Sequence, residues 1–199
     1  MKRKRKLKKK RVASVVFLIA LAALFFGMIY TGVSDANKKT ETVKAAPLPT
    51  GLHPTVREQT NQLIQLAAKK GIVVVITDGF RSSEDQDRLY QQGRTIEGDV
   101  VTNAKGGQSY HNYGLAVDFA LKTNSDEIIW DRQYDGNQNG VADWSEVVKI
   151  AKNLGFEWGG DWQKFKDYPH LEMNFGLSIA QLQQGQRPPE NASLVVDKK

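Results

Sequence analysis

An uncharged run near the N-terminus places the strongest constraint on what this chain can fold into. Residues 12–33, VASVVFLIALAALFFGMIYTGV, contain no charged side chain over twenty-two positions. At about 1.5 Å per residue, a helix of that length covers a hydrocarbon core of about 30 Å, so the run predicts a membrane-spanning segment. A cleaved signal peptide is the alternative, since residues 34–36 (SDA) resemble a small-residue cleavage site.

The charges before this run predict its orientation. Nine of the 28 lysines and arginines lie within residues 1–11, and the formal charge of +6 less those nine leaves −3 for the rest. By the positive-inside rule this tail stays cytoplasmic and the C-terminal part is extracytoplasmic. The basic pI therefore belongs to the tail and does not indicate a nucleic-acid partner. We predict a single-pass cell-membrane protein, or a secreted one if the run is cleaved.

The rest of the chain divides into a linker and one domain. Residues 34–54 are polar, contain three prolines and lack apolar periodicity, which predicts a linker. Residues 55–199 have the length of an ordinary single domain, with no internal repeat. The chain has no cysteine, so core packing or a metal must stabilise this exported domain without disulfides.

Apolar side chains recur with helical or strand periodicity along the domain. The pattern predicts helices at residues 55–71, 83–93 and 143–155, and strands at residues 72–76, 115–121 and 170–173. Ser83 and Gln86 have the spacing of a capping box at the second helix. In the strand LAVDFAL, Asp118 shares a face with Ala116 and Ala120, which leaves space beside its carboxylate. Segregated helices and strands of this kind indicate an α+β fold.

Two of the three histidines are placed to bind a metal together with an aspartate. In SYHNYGLAVDF, residues 109–119, His111 precedes a glycine turn and Asp118 lies on the strand that follows. As a third ligand, His170 at the start of a strand is better placed than His53 in the proline-rich linker. Two histidines and one carboxylate with an open fourth position suit a catalytic zinc ion. The alternative is two separate histidines, each held by hydrogen bonds.

These residues carry a resemblance to a known family. The chain resembles the zinc D,D-carboxypeptidase and L-alanyl-D-glutamate endopeptidase family, with its VanY-like and CwlK-like members, in S-x-H-x-x-G-x-A-x-D at residues 109–118 and D-x-x-H at residues 167–170. The likeness runs over residues 51–176. It implies a compact α+β fold shared with the zinc domain of hedgehog proteins. It also implies zinc bound by His111, Asp118 and His170, a catalytic carboxylate at Asp167, and a substrate-orienting arginine at Arg81.

The residue type at position 167 bears on which bond is cut. The carboxypeptidase branch usually has glutamate there, whereas an aspartate is similar to the branch that cuts L-Ala-D-Glu bonds. A carboxylate three residues before a ligand histidine can carry a proton to the leaving amine. We therefore predict a hydrolase of peptidoglycan stem peptides, specifically an endopeptidase at L-Ala-D-Glu. The alternatives are a D,D-carboxypeptidase that removes terminal D-Ala and an inactive, zinc-containing cell-wall binding module.

Weaker candidates flank these positions. Ser109 and Trp162 are possible substrate contacts, although Ser109 could instead cap a turn. Arg81 could equally be a surface arginine near a helix start. Glu172 could support His170 or face solvent. The sequence indicates nothing about oligomeric state.

A separate loop has the spacing of a calcium site. Residues 135–146, DGNQNGVADWSE, fit the EF-hand loop pattern, with oxygen donors at Asp135, Asn137, Asn139, Val141 (its carbonyl) and Glu146. Residues 125–134 before it predict at most a short entering helix. A calcium ion here would be structural, and the alternative is a polar turn that needs no ion.

Overall fold

The fold is that of an α+β domain, described by a computed structural model over residues 46–190. The α+β class predicted from the sequence is confirmed. Within this range the helices are α1 (Pro54–Ala68), α2 (Ser83–Gln91), α3 (Asp143–Asn153) and α4 (Ile179–Gln183), with 3₁₀ turns at Tyr110–Tyr113 and Gly159–Asp161. The strands are β1 (Val73–Asp78), β2 (Ala116–Lys122), β3 (Ile128–Ile129), β4 (Glu157–Trp158) and β5 (His170–Glu172).

The predicted cytoplasmic tail and membrane-spanning segment, residues 1–33, lie outside the described residues, as does the linker up to residue 45. Between residues 46 and 190, none of the helices combines the length and the apolar character that a membrane crossing requires. Residues 46–53, which the sequence assigns to the linker, lie along the domain. The Ala46 amide donates to the Gly185 carbonyl at 3.4 Å, and the His53 amide donates to the Gly114 carbonyl at 2.9 Å.

The strand order brings three acidic or imidazole side chains into one row. The sheet runs β1-β2-β5-β4 with antiparallel neighbours, and β3 pairs with the end of β2. Asp118 on β2 lies opposite Asp78 on β1 and opposite His170 on β5. A register shift between Ile76 and Asp78 makes this row possible, because an extra residue in β1 moves Asp78 to the face of Asp118.

The opposite face of the sheet carries the hydrophobic core. Side chains of β1, β2 and β5 pack there against α1 and α3, and the rings of Phe119 and Trp144 lie 4.4 Å apart. Fully burying a large apolar side chain contributes about 1.5–3 kcal/mol, so the packing on this face stabilises the sheet. The polar row lies on the other face of the same sheet.

The second helix begins differently from the prediction. Its N-cap is Ser82, whose hydroxyl oxygen accepts from the Asp85 amide at 3.0 Å, so the capping box predicted for Ser83 and Gln86 is wrong. Moving the cap by one residue places Gln86 beyond the first turn, where its side chain is fully buried.

Within residues 46–190, no helix leads into the calcium-like loop. Residues 125–134 contain β3 instead, because Ile128 and Ile129 pair with Lys122 and Leu121 at the end of β2. Pairing with β2 gives backbone N–H and C=O groups of these residues hydrogen-bond partners, whereas a short isolated helix would leave such groups unpaired.

Candidate metal centre

Three ligand atoms converge at the centre of the polar row. His111 Nε2 lies 3.2 Å from His170 Nδ1 and 3.3 Å from Asp118 Oδ1, and His170 Nδ1 lies 3.2 Å from Asp118 Oδ1. In a tetrahedral zinc site, ligand atoms about 2.0–2.1 Å from the metal lie about 3.3 Å from one another. The donor set and its spacing therefore fit one zinc ion with a fourth position left open.

A short turn orients His111. The turn Tyr110–Tyr113 is capped by Ser109, whose hydroxyl oxygen accepts from the His111 amide at 3.3 Å. The turn ends at Gly114, with φ 67°, where a Cβ would lie only 2.2 Å from the Gly51 carbonyl oxygen, so only glycine fits. His111 donates from Nδ1 to the Gly79 carbonyl at 2.7 Å, which directs Nε2 towards the cluster.

A buried carboxylate orients His170. The His170 Nε2–H donates to Glu172 Oε2 at 2.9 Å, and Glu172 is only 5 % exposed. This bond leaves Nδ1 as the atom that faces Asp118 and His111. Glu172 thus supports His170 and does not face solvent.

The electrostatics of the cluster favour a positive charge at its centre. Burial alone would lower the pKa of His170, but hydrogen bonds to Asp118 and Glu172 outweigh burial and raise this pKa to about 9. Burial would likewise raise the pKa of Asp118, yet hydrogen bonds from the two histidines bring it well below its usual range. A cluster that holds a proton this firmly is suited to hold a metal cation in its place.

Asp167 lines the cleft beside this cluster. Its amide donates to the Gly159 carbonyl at 3.2 Å, and a Cβ at residue 159 would lie 2.4 Å from the Asp167 carbonyl oxygen. Gly159 therefore permits the close approach that sets the position of the carboxylate. Burial, followed by the charge of Asp118, raises the pKa of Asp167.

Arg81 is held at the edge of the cluster and is not a free surface arginine. Its side chain is 13 % exposed, and the guanidinium pairs through Nε and NH2 with the Asp78 carboxylate. The NH1 group donates to Gln86 Oε1 at 2.8 Å, and NH2 lies 4.0 Å from Asp118 Oδ2.

A cleft of about 670 Å³ contains all of these groups. Its lining includes residues 101–104 together with Trp162, Phe165 and Asp167. The predicted substrate contacts Ser109 and Trp162 both line it, and the Trp162 ring lies 5.1 Å from the His170 ring. The structure thus brings together the three predicted ligands, Asp167, Arg81, Ser109 and Trp162, while their roles stay predictions.

Sequence reasoning missed two buried amides that organise the site. Asn112, 1 % exposed, donates to the carbonyls of Arg81 and Ser82 and accepts from the amides of Gly107 and Ser109. It thereby joins the turn of His111 to the turn of Arg81. The sequence did contain an indication of Asn112: it lies three residues after Ser109, the position whose side chain bonds back to the N-cap amide in a capping box. The second amide is Gln86, which the sequence predicted only as part of a capping box.

In the calcium-like loop, the side chains predicted to bind calcium form hydrogen bonds within the loop. Asp135 accepts from the amides of Asn139 and Gly140, and Glu146 accepts from the side-chain amides of Asn137 and Asn139. Glu146 also pairs with Lys70 at 2.8 Å. The site lies apart from the metal cluster, on the loop that leads into α3.

Two convergent histidines and one aspartate beside a carboxylate, in an open cleft of an α+β domain, define the class of mononuclear metallohydrolases. Comparison with known proteins identifies the family. Residues 102–173 match the D-alanyl-D-alanine carboxypeptidase family. The chain is 54% identical over 157 residues to the peptidoglycan L-alanyl-D-glutamate endopeptidase CwlK of Bacillus subtilis (strain 168), covering 79% of this chain and 94% of CwlK. The chain therefore belongs to this family of peptidases, which confirms the resemblance seen in its motifs.

More distant relatives include a phage enzyme and a solved structure. The L-alanyl-D-glutamate peptidase of Listeria phage A118 is 29% identical over 143 residues, covering 72% of this chain and 41% of the phage protein. The crystal structure of the Serratia marcescens L-Ala D-Glu endopeptidase ChiX has 25% sequence identity and a TM-score of 0.42, over 63% of this chain and 82% of that chain.

Proposed function

We propose that this protein is a zinc peptidase that hydrolyses the L-Ala-D-Glu bond of peptidoglycan stem peptides. The observation that carries the proposal is the triangle of His111, Asp118 and His170 beside Asp167, in a chain 54% identical to CwlK. Zinc held there would polarise the scissile carbonyl and lower the pKa of water at the open position.

The remaining chemistry belongs to the side chains of the cleft. Asp167 takes the proton of the attacking water and delivers it to the leaving amine of D-Glu. Burial raises the pKa of Asp167, which suits a group that must both accept and release a proton. The guanidinium donors of Arg81 that Asp78 and Gln86 do not occupy hydrogen-bond the substrate carbonyl or carboxylate.

Digestion of purified peptidoglycan by the zinc-loaded protein tests this proposal. Mass spectrometry of the products is expected to find new N-terminal D-Glu. Release of free D-Ala would identify a D,D-carboxypeptidase, the activity named for the family matched by residues 102–173. Binding to peptidoglycan without any new terminus would identify the inactive binding module instead.

We place the enzyme at the outer face of the cell membrane, anchored by residues 12–33, where its substrate is accessible. The uncharged run and the nine basic residues before it support this location. Protease added to intact spheroplasts is expected to remove the domain. N-terminal sequencing that begins after residue 36 would show a secreted form.

Glu172 is expected to tune the affinity for zinc. Loss of a carboxylate that orients a ligand histidine typically costs about 10–100-fold in metal affinity. Glu172→Gln should therefore weaken zinc binding by about that factor, as measured by competition with a chelating dye. Glu157→Gln is the matched control, because Glu157 lies opposite Glu172 on β4 but bonds to Asn174. Equal affinity in both variants would contradict the orienting role.

We also propose that the loop at residues 135–146 binds calcium as a structural ion. The spacing of its donors supports this, as does an oxygen of buried Asp143, at the ninth loop position, that has no hydrogen-bond partner within residues 46–190. Calcium is then expected to raise the melting temperature of the zinc-loaded protein, by mass action on the native state.

Replacing Asp135 and Glu146 by their amides should abolish the rise in melting temperature with calcium. The control is Asp131→Asn, which removes an exposed carboxylate four residues before the loop. If calcium does not change the melting temperature of the parent protein, the loop is a polar turn that binds no ion.

A further inference from the structure

Gln86 is a buried polar side chain with partners on both sides. It is 0 % exposed, its Oε1 accepts from Arg81 NH1 at 2.8 Å, and its Nε2 donates to the Ala104 carbonyl at 2.9 Å. A longer contact of 3.3 Å joins Nε2 to the Thr102 hydroxyl. Burial of an amide is costly unless its groups are bonded, and here the bonds lead to two structures that face the cleft.

The first of these structures is the guanidinium of Arg81. Asp78 holds it through Nε and NH2, which fixes one edge of the planar group. Gln86 holds NH1, on another edge. With both edges bound, the plane cannot rotate, and the unused donors keep a constant direction beside Asp118, 4.0 Å from NH2.

The second structure is the cleft wall at residues 102–104. Thr102 and Ala104 line the cleft, and the Ala104 amide donates to the Thr102 hydroxyl oxygen at 3.2 Å. Arg94 adds a bond to the Thr102 carbonyl at 3.0 Å from the solvent side. Gln86 therefore links this wall to Arg81 through hydrogen bonds made on the buried side of the wall.

The amide is the suitable chemical group at this position. A glutamate would place a second carboxylate on a guanidinium that already pairs with Asp78 and lies 4.0 Å from Asp118. It would also turn an acceptor towards the Ala104 carbonyl, where a donor is required. A neutral side chain with one acceptor and one donor satisfies both neighbours and leaves the positive charge of Arg81 available to substrate.

We propose that Gln86 is a positioning residue that holds the Arg81 guanidinium and the wall at residues 102–104 in fixed relation, and so sets how a stem peptide meets Arg81. The proposal rests on the proposed function, because the substrate is taken to be a stem peptide.

The test replaces the amide by an apolar side chain of similar length. Gln86→Met is expected to lower kcat for stem-peptide cleavage by an amount on the order of 10²-fold, since a misplacement of about 1 Å can cost that much. KM should change less, and zinc content should stay at one per chain. Gln91→Met is the matched control, because Gln91 lies on the same helix with an exposed side chain, and it should keep the parent kcat.

Two readouts separate positioning from a general effect on the fold. If Gln86 acts through Arg81, Gln86→Met should cause almost no additional loss in an Arg81→Ala background, because coupled residues are not additive. Hydrogen exchange of amides 101–108 should be faster in Gln86→Met than in Gln91→Met. This second measurement needs no turnover, so it remains informative even if the parent protein cuts no peptidoglycan and the proposed function fails.

Full parent kcat in Gln86→Met, or equal losses with and without Arg81, would overturn the proposal. If Gln86→Met does not fold, Gln86→Glu decides, because it keeps the shape and one acceptor. A folded, zinc-loaded Gln86→Glu with reduced kcat supports positioning. If it keeps full kcat, or also fails to fold, Gln86 is a core residue only.

Discussion

Replacing Asp167 by asparagine is expected to lower the rate of stem-peptide cleavage by about 10²–10⁴-fold, the usual contribution of general acid–base catalysis. Asparagine has nearly the same shape and leaves His111, Asp118 and His170 in place, so zinc content and melting temperature should persist. The change removes only the group that holds the proton. Peptide release measured by chromatography, together with metal analysis of the same sample, checks both expectations.

Two further variants sharpen this test. Asp167→Glu moves the carboxylate by about one bond length, so its rate should fall on the order of 10²-fold but stay above that of the asparagine variant. Asp161→Asn is the control, because Asp161 is an exposed aspartate of the same segment, paired on the surface with Lys152. Parent activity in a zinc-loaded Asp167→Asn protein would show that Asp167 is not the proton carrier.

Removing any one of the three ligands is expected to abolish both zinc binding and cleavage. His111→Ala, Asp118→Ala and His170→Ala each leave two donors, which is too few for the three protein ligands that a catalytic zinc site uses. Metal analysis after dialysis should find stoichiometric zinc in the parent and almost none in the variants. His53→Ala provides the control, since it removes the remaining histidine of the chain from a position at the start of α1.

Stoichiometric zinc in all three variants would contradict the assignment of the ligands. The pH dependence gives an independent check on the same site. The pKa of about 9 for His170 means that, below that pH, zinc must displace a proton. Apparent zinc affinity should therefore fall with decreasing pH, by about tenfold per pH unit for each proton released.

The sequence alone was enough to predict the three candidate ligands and to indicate the family. His111 and Asp118 lie within one turn and one strand, so their approach depends on local geometry that S-x-H-x-x-G-x-A-x-D already encodes. The same holds for Asp167 and His170, which are three residues apart. His170 was preferable to His53 because it opens a strand, and the structure pairs that strand with β2 at Asp118.

Only the tertiary structure decided how those groups are held. The extra residue in β1 that brings Asp78 opposite Asp118 depends on strand register, which is set by pairing across the sheet and not by the β1 sequence. The ring nitrogens that face the cluster depend on the Gly79 carbonyl and on Glu172, which lie on other segments. Gln86 was predicted to cap its helix, yet it bonds to Arg81 and Ala104. The local sequence around a polar side chain indicates whether it can cap a helix. Its hydrogen-bond partners in the folded protein can lie on segments distant in sequence, because buried polar groups bond to whichever groups packing places beside them.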